Sequence, residues 1–327
     1  MVLTPDEITI AVTVFDRRRY LRQAITSALL QTIPVRVMVV EDCGPDHTLQ
    51  DLVRSEFGSR VDYLRTSKRR GLFGILNSCV ELCPTRWLSI LHDDDYLSPQ
   101  FVEAMLALQR QYPGNGLYFG GTTVLNELGQ PLFEWPLPGR PGECRSVTLH
   151  DIKLDTPFAF PGQLFEIEKA RAVGGFRETS QYCGDWELWC KLVARDGGAC
   201  TPATVAFSRE HAAWDRATNR VTRAGKEYPL NYVQIKRALH LLRQRGVSEK
   251  VDRITYQKRR PIPTRFLLRY GTGLSPRTLA YHRRLLLLSA PPSAGYALFQ
   301  LAVRICGTRF LYWGSQAWNC LFPAERA

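Results

Sequence analysis

No stretch of the sequence supplies the about 20 uninterrupted apolar residues that a membrane-spanning helix needs. Pro291-Pro292 splits the best candidate, and Arg304 and Arg309 lie beyond it. A C-x-x-C pair is also missing. The nine cysteines fall at irregular spacing, which suits a reducing compartment and argues against a disulfide framework or a zinc knuckle. The opening residues, Met1-Val2-Leu3-Thr4-Pro5-Asp6-Glu7, show no basic stretch leading into an apolar one, so a cleaved signal peptide is not expected and a cytoplasmic location is. Zinc-finger, RNP-like and helix-turn-helix patterns are lacking too, so no nucleic-acid partner is expected.

What is present is a globular composition: 327 residues, 45% hydrophobic and 23% charged, with no collagen-like or low-complexity signature. The charge is uneven. Residues 1–215 are slightly acidic, whereas residues 216–327 hold 21 Lys and Arg against 4 Asp and Glu. Such a basic segment suits a partner dense in negative charge: nucleic acid, an anionic membrane surface or a polyanionic substrate.

Apolar runs alternate with helical spacing over the first half. Ile8 to Val14, Val35 to Val40, Val61 to Leu64 and Arg86 to Leu91 read as strands, separated by helices after Tyr20, around Leu49 and over Gly71 to Leu82. This rhythm predicts a parallel sheet flanked by helices. Ligands of such sheets sit outside the carboxyl ends of the strands, and Phe15-Asp16, Glu41-Asp42 and Asp93-Asp94-Asp95 fall there. Further on, Pro99 to Tyr112 reads as helix, Leu117 to Val124 as strand, Pro131 to Gly142 as loop and Asp185 to Arg195 as helix. Trp186 and Trp189 on that last helix read as core.

Three successive aspartates after an apolar strand repel one another and raise one another's pKa unless a cation lies between them. A divalent ion with a taste for hard oxygen ligands, Mg²⁺ or Mn²⁺, resolves the conflict and keeps positions open for phosphate oxygens. The plainer alternative is a solvated acidic turn before the helix at Pro99.

With those residues in view, the chain resembles the family 2 glycosyltransferases of GT-A fold over residues 8 to 212. Thr13-Val14-Phe15-Asp16 resembles the family's first strand and its entry to the donor site. Val39-Val40-Glu41-Asp42 with Asp46 resembles its Val-Asp-Asp-Gly-Ser-x-Asp segment, and Leu91-His92-Asp93-Asp94-Asp95 its D-x-D segment. Val173-Gly174-Gly175-Phe176 resembles the Gly-Gly-Phe turn, and Gly184-Asp185-Trp186-Glu187-Leu188 the Glu-Asp-Trp-x-Leu acceptor motif. The resemblance implies an α/β fold of Rossmann-like, mostly parallel sheet and a metal-dependent, inverting hexosyl or related transferase. A nucleotide sugar is the implied donor, and a saccharide or lipid-linked saccharide the implied acceptor, in surface polysaccharide or glycan synthesis.

It also implies roles. Asp185 is the general base. Thr13, Phe15, Glu41, Asp42, Asn77, Asp93 and Asp94 line the donor, with Glu41 or Asp42 accepting a hydrogen bond from its base. Asp95 and Asp93, with His211, hold Mg²⁺ or Mn²⁺. The chain departs from the pattern twice: Gly184 stands where the family has glutamate, and Leu76-Asn77 where it has Arg-Asn. Lys68, Arg69 and Arg70 are candidate substitutes for the diphosphate contact of that arginine.

The expected division is a catalytic domain over residues 1–215 and a basic, mainly helical region over 216–327. The basic residues of 253–284 and the aromatics between Tyr296 and Trp318 suggest peripheral contact with an anionic membrane face, or else a helical subdomain packed on the catalytic domain or a partner. Two other activities compete with transfer: an inactive sugar-nucleotide-binding scaffold, and a sugar-nucleotide nucleotidyltransferase. The latter normally has a glycine-rich phosphate loop after its first strand, where this chain has Phe15-Asp16-Arg17-Arg18-Arg19.

Overall fold

The structure, a computed structural model, describes residues 3–135, 137, 142–153, 158–180, 183–210, 227–244, 246, 297–298 and 301–305. Strand β1 (Ile8–Val14) is buried along its whole length, as a β-branched run covered on both faces must be. Helix α1 (Leu21–Leu29) then buries Leu21, Ala24, Ile25 and Ala28, the i, i+3, i+4, i+7 stripe of an amphipathic helix. After it come β2 (Arg36–Glu41), α2 (Leu49–Phe57), β3 (Asp62–Arg65), α3 (Gly71–Leu82) and β4 (Trp87–His92). β1 pairs in parallel with β2 on one side and β4 on the other, and β2 pairs in parallel with β3. The chain therefore runs outward from β1 to β3 and crosses back to lay β4 on the far side of β1. That reversal of strand order opens a crevice outside the carboxyl ends of β1 and β4.

The second half of the sheet mixes directions. It comprises β5 (Tyr96–Leu97), α4 (Phe101–Gln111), β6 (Leu117–Leu125), β7 (Pro131–Glu134), β8 (Arg145–Val147), α5 (Leu149–Ile152), β9 (Gln163–Glu166), α6 (Ile167–Ala172), α7 (Gly184–Asp196) and β10 (Gly198–Arg209). β9 is inserted antiparallel between β4 and β6. β10 runs parallel to β6 and antiparallel to β8 and β5. The short pairing of Ala206 and Phe207 with Leu97 and Tyr96 matters most, because β5 directly follows the aspartate triplet and so brings the end of β10 beside it.

Pro131 to Gly142 reads as a loop from its proline and glycine content, but its first four residues form β7, antiparallel to β6. Local chemistry explains the difference. The Asn126 side-chain oxygen accepts the amides of Leu128 and Gln130, and Gly129 takes a φ of 79° that closes the hairpin. Pro131 then sits at the first position of an edge strand, where its missing N–H is tolerated.

Helix α7 is held from below by aromatic packing. The Trp189 ring lies 5.5 Å from Phe165 and 5.9 Å from Phe176, while Trp186 Nε1 donates to the Ile152 carbonyl at 2.6 Å. Both tryptophans are buried, and truncating a residue of this kind in a core costs about 3–5 kcal/mol. The helix ends at Gly197, whose φ of 77° and amide bond to the Val193 carbonyl make a left-handed C-cap.

Two compact units divide the chain, Met1–Glu210 with His240–Arg245, and His211–Leu239 with Gly246–Ala327. In the basic C-terminal region, α8 (Glu227–Gln244) is helical, as are residues 297–298 and 301–305. The basic stretch 253–284, most of the aromatic stretch up to Trp318, and His211 lie outside the described residues. Among the described residues, no helix is long and apolar enough to cross a membrane.

Candidate active site

At the crevice, Thr13 faces His92 across β1 and β4, and its hydroxyl meets His92 Nδ1 at 3.0 Å. The His92 ring stacks on Phe160, with centroids 4.3 Å apart. The chain then turns through Asp93, Asp94 and Asp95, each only 5–6% exposed. Carboxylates in such a place need N–H donors or a cation. Arg209 supplies part of this. Its amide donates to Asp95 Oδ1 at 2.8 Å, and its Nε donates to the Asp94 carbonyl at 3.2 Å. The remaining fork reaches Gln23 Oε1 at 2.9 Å and the Asn126 and Glu127 carbonyls at 3.4 and 3.5 Å. Arg209 is 4% exposed and lies 4.1 Å above the Tyr20 ring.

Arg17 supplies the rest, with Nη1 2.7 Å from Asp94 Oδ2 and Nε 3.7 Å from Asp93 Oδ1. Positive charge is still short. Burial pushes the Asp93 carboxyl up to about 8; Arg17 pulls it down, while Asp94, Asp95 and Asp16 add repulsion. A divalent ion would relieve that repulsion, and the donor set of buried carboxylate oxygens fits Mg²⁺ or Mn²⁺. Among the described residues, no group of three or more His, Cys, Asp or Glu makes a metal cage. Mg²⁺ usually binds through one or two carboxylates plus substrate phosphates, so Asp93 and Asp95 are a sufficient protein share.

At the end of β2, Glu41 is fully buried. Its carboxylate accepts the Tyr63 hydroxyl, the Arg65 guanidinium and the Gly44 amide. Burial, with the bond to Glu41, raises the Tyr63 pKa, so the phenol stays a donor. Asp42 accepts the amides of Arg70 at 2.6 Å and Gly71 at 2.9 Å and so caps the start of α3. Between them the backbone is tight. Cys43 has a φ of 47°, and a Cβ on Gly44 would lie 1.8 Å from the Phe15 carbonyl oxygen, so glycine is required there. Arg69 lies 4.1 Å over the Phe15 ring.

Asn77, expected at the donor, holds the Gly-Gly-Phe turn: its amide donates to the Phe176 carbonyl at 2.8 Å, and its Oδ1 accepts the Phe176 amide at 2.9 Å. Arg70, a candidate diphosphate ligand, is committed to Ser78, Glu81 and Glu178. Beyond the turn, Arg177 grips buried Glu187 through both of its oxygens, which fixes the first turn of α7. Gly184 at its start packs on α3: a Cβ there would lie 2.7 Å from the Phe73 ring. The departure from the family's glutamate therefore has a partner, because Phe73 fills that space.

Asp185 is half-buried in the first turn of α7. The N-cap position belongs to Cys183, which has a φ of 62° and makes no side-chain cap bond, so Asp185 is not the helix cap. Desolvation raises its pKa, opposed by the amides of Trp186 and Asp185 itself. A partly buried carboxyl whose pKa burial raises is a better proton acceptor than a solvated aspartate.

The structure thus gathers Thr13, Phe15 and Asp93 to Asp95 around one crevice, with Glu41 and Asp42 at the adjoining strand end. It places Asn77 against the backbone of the Gly-Gly-Phe turn. Sequence reasoning missed Arg17 and Arg209. The signal for Arg17 was present, since three arginines directly follow a strand whose neighbour ends in three aspartates.

Comparison with known proteins agrees with this architecture. Residues 9–130 match the family model described as Glycosyl transferase family 2. An uncharacterized glycosyltransferase of Rickettsia prowazekii, RP339, is 24% identical over 228 residues, covering 68% of this chain and 69% of that one. The chondroitin synthase of Escherichia coli is 22% identical over 191 residues, 57% of this chain and 26% of its own length. Thus the chain spans about a quarter of that enzyme. Among solved structures, S. aureus TarS 1–349 in complex with UDP-GlcNAc superposes with a TM-score of 0.54 at 14% identity, covering 95% of this chain and 92% of that one. The GT-A fold is shared.

Arg209→Met should strand the buried Asp94 carbonyl and two part-buried ones, of Asn126 and Glu127, and loosen the aspartate turn. The expected loss is about 3 kcal/mol of unfolding free energy, since each orphaned buried polar group costs about 1–3 kcal/mol. Urea denaturation checks it. A midpoint equal to that of the unaltered protein would remove Arg209 from this role.

Proposed function

We propose that this chain, a glycosyltransferase of family 2 by its residues 9–130, moves a sugar from a uridine-diphosphate donor to a hydroxyl of a saccharide or lipid-linked saccharide, with inversion. The observation that carries the reading is the buried Asp93-Asp94-Asp95 turn at the strand-order reversal, where a diphosphate and a cation complete each other's coordination. The UDP-GlcNAc complex of TarS and the chondroitin synthase relative support a nucleotide-sugar donor and polysaccharide synthesis.

Asp95 and Asp93 would hold Mg²⁺ or Mn²⁺, with His211 a candidate third ligand outside the described residues. The ion supplies charge stabilisation as the diphosphate leaves. Asp42 is the contact for the donor base: two of its lone pairs cap α3, and a carboxylate offers about four. Glu41, bonded to three donors within the chain, shapes the pocket from beneath. Asp185 takes the proton of the acceptor hydroxyl, whose oxygen bonds to the anomeric carbon as the bond to the diphosphate breaks. Because that attack is direct, the anomeric configuration inverts. The nucleotidyltransferase reading loses ground, since Phe15 to Tyr20 contains no glycine to let a backbone cradle phosphates. The inactive-scaffold reading loses its main support as well, because Phe73 accounts for Gly184. We keep the catalytic domain at residues 1–215 and place the basic residues of 216–327 against an anionic membrane face from the cytoplasmic side.

Asp95→Asn should abolish the Mn²⁺ dependence of UDP binding in calorimetry. Equal UDP affinity with Mn²⁺ and with chelator in the unaltered protein would remove the metal from the reading. Asp185→Asn should lower kcat at least about a hundredfold with UDP-sugar affinity nearly intact, because the base acts on the acceptor. A base must be deprotonated to work, so the activity of the unaltered enzyme should fall as pH drops through the raised Asp185 pKa. That acidic limb should be missing in the variant. Near-normal turnover would return Asp185 to a structural role. The full chain should sediment with anionic vesicles at low salt and be released at high salt, at about 1 kcal/mol per basic residue near the surface. Binding to neutral vesicles of equal strength would defeat the electrostatic account.

A further inference from the structure

We propose that Arg17 is an exchangeable clasp: it neutralises Asp93, together with neighbouring Asp94, until a divalent cation takes the Asp93 oxygens, and then turns to the diphosphate of the donor. The inference rests on the metal reading above. Its first support is competition. The guanidinium lies 2.7 Å from Asp94 Oδ2 and 3.7 Å from Asp93 Oδ1, and a cation bound through Asp93 must share or displace that contact.

Accessibility is the second support. The Arg17 side chain is 54% exposed, whereas Arg209 is buried and tied to backbone carbonyls, and Arg70 is tied to two glutamates. The neighbouring arginines point elsewhere: Arg18 pairs with Asp46 beyond β2 and Arg19 approaches Glu127 beyond β6. Arg17 is thus the member of the run placed at the aspartate turn. Its planar fork also suits the task, since guanidinium binds phosphate oxygens in pairs. The family's arginine on α3 is Leu76 here, and an arginine arriving from the β1–α1 loop restores a positive contact.

The roles predict effects of opposite sign. Free Mn²⁺ is measured by electron paramagnetic resonance, and UDP affinity in saturating Mn²⁺ by calorimetry. Arg17→Gln should bind Mn²⁺ alone about two- to fivefold more tightly, because a half-exposed competing ion pair is removed. It should bind UDP with Mn²⁺ about tenfold more weakly, the scale of one charge-assisted hydrogen bond. Arg17→Lys should keep the competition for Mn²⁺ but lose part of the UDP affinity. Arg19→Gln, which removes the same charge from the same loop, should change neither value by as much as twofold. If Arg17→Gln shifts both affinities in one direction, or neither, the clasp is overturned while the metal site stands. If the unaltered protein takes up Mn²⁺ no better than Asp95→Asn, the metal reading fails and the clasp falls with it.

Discussion

The fold depends on a bargain struck at the end of β4, where three aspartates are nine-tenths buried on a strand end that hydrophobic packing requires to be there. Burying one ionised carboxylate without partners is prohibitive, and three adjacent ones aggravate it. The rest of the sheet can be read as the means of meeting that demand. The antiparallel pairing of β5 with β10 delivers the Arg209 amide to Asp95 and its side chain to the Asp94 carbonyl. That same side chain reaches the β6–β7 hairpin and α1, so one buried cation fastens three elements around the turn. What it leaves uncompensated, chiefly at Asp93, is where the proposed cation and diphosphate would enter.

A second group of polar residues holds the frame of the site. Glu41, Asn77 and Glu187 carry family-like positions, and each is bonded within the chain: by Tyr63 and Arg65, by the Phe176 backbone, and by Arg177. Their bonds tie β2 to β3, α3 to the Gly-Gly-Phe turn, and that turn to α7. Since α3 and α7 also meet through Phe73 and Gly184, the position of Asp185 is set by a continuous path from Asp42, which caps α3. A shift at one strand end would thus be felt at the proposed base.

Strands and helices of the first half were legible because burial on both faces writes itself as β-branched runs, and one-sided burial as helical spacing. The aspartate turn was legible because charge at the end of an apolar strand is costly enough to need a reason. β7 was hidden by its composition: proline and glycine argue for a loop until the Asn126 side chain is seen to close the hairpin. Arg17 and Arg209 were hidden for another reason. Their meaning lies in partners 77 and more than 100 residues away, and spacing along a chain carries no information about which strand ends become neighbours. Gly184 looked like a defect by itself and becomes a fitted surface only beside Phe73.

Two carboxyls of the site, Asp93 and Asp185, have pKa values raised chiefly by burial, but their surroundings separate their tasks. Asp93 has two more aspartates beside it, so whatever cation arrives is drawn there and its proton is displaced. Asp185 stands among the neutral amides of a helix start, with a dipole that steadies the carboxylate without a fixed cation to hold it deprotonated at all pH. A group so placed can gain and lose a proton as the acceptor hydroxyl arrives. The same elementary cost, desolvation, thus suits Asp93 to the proposed role of metal ligand, where like charges crowd together, and Asp185 to the proposed role of base, where they do not.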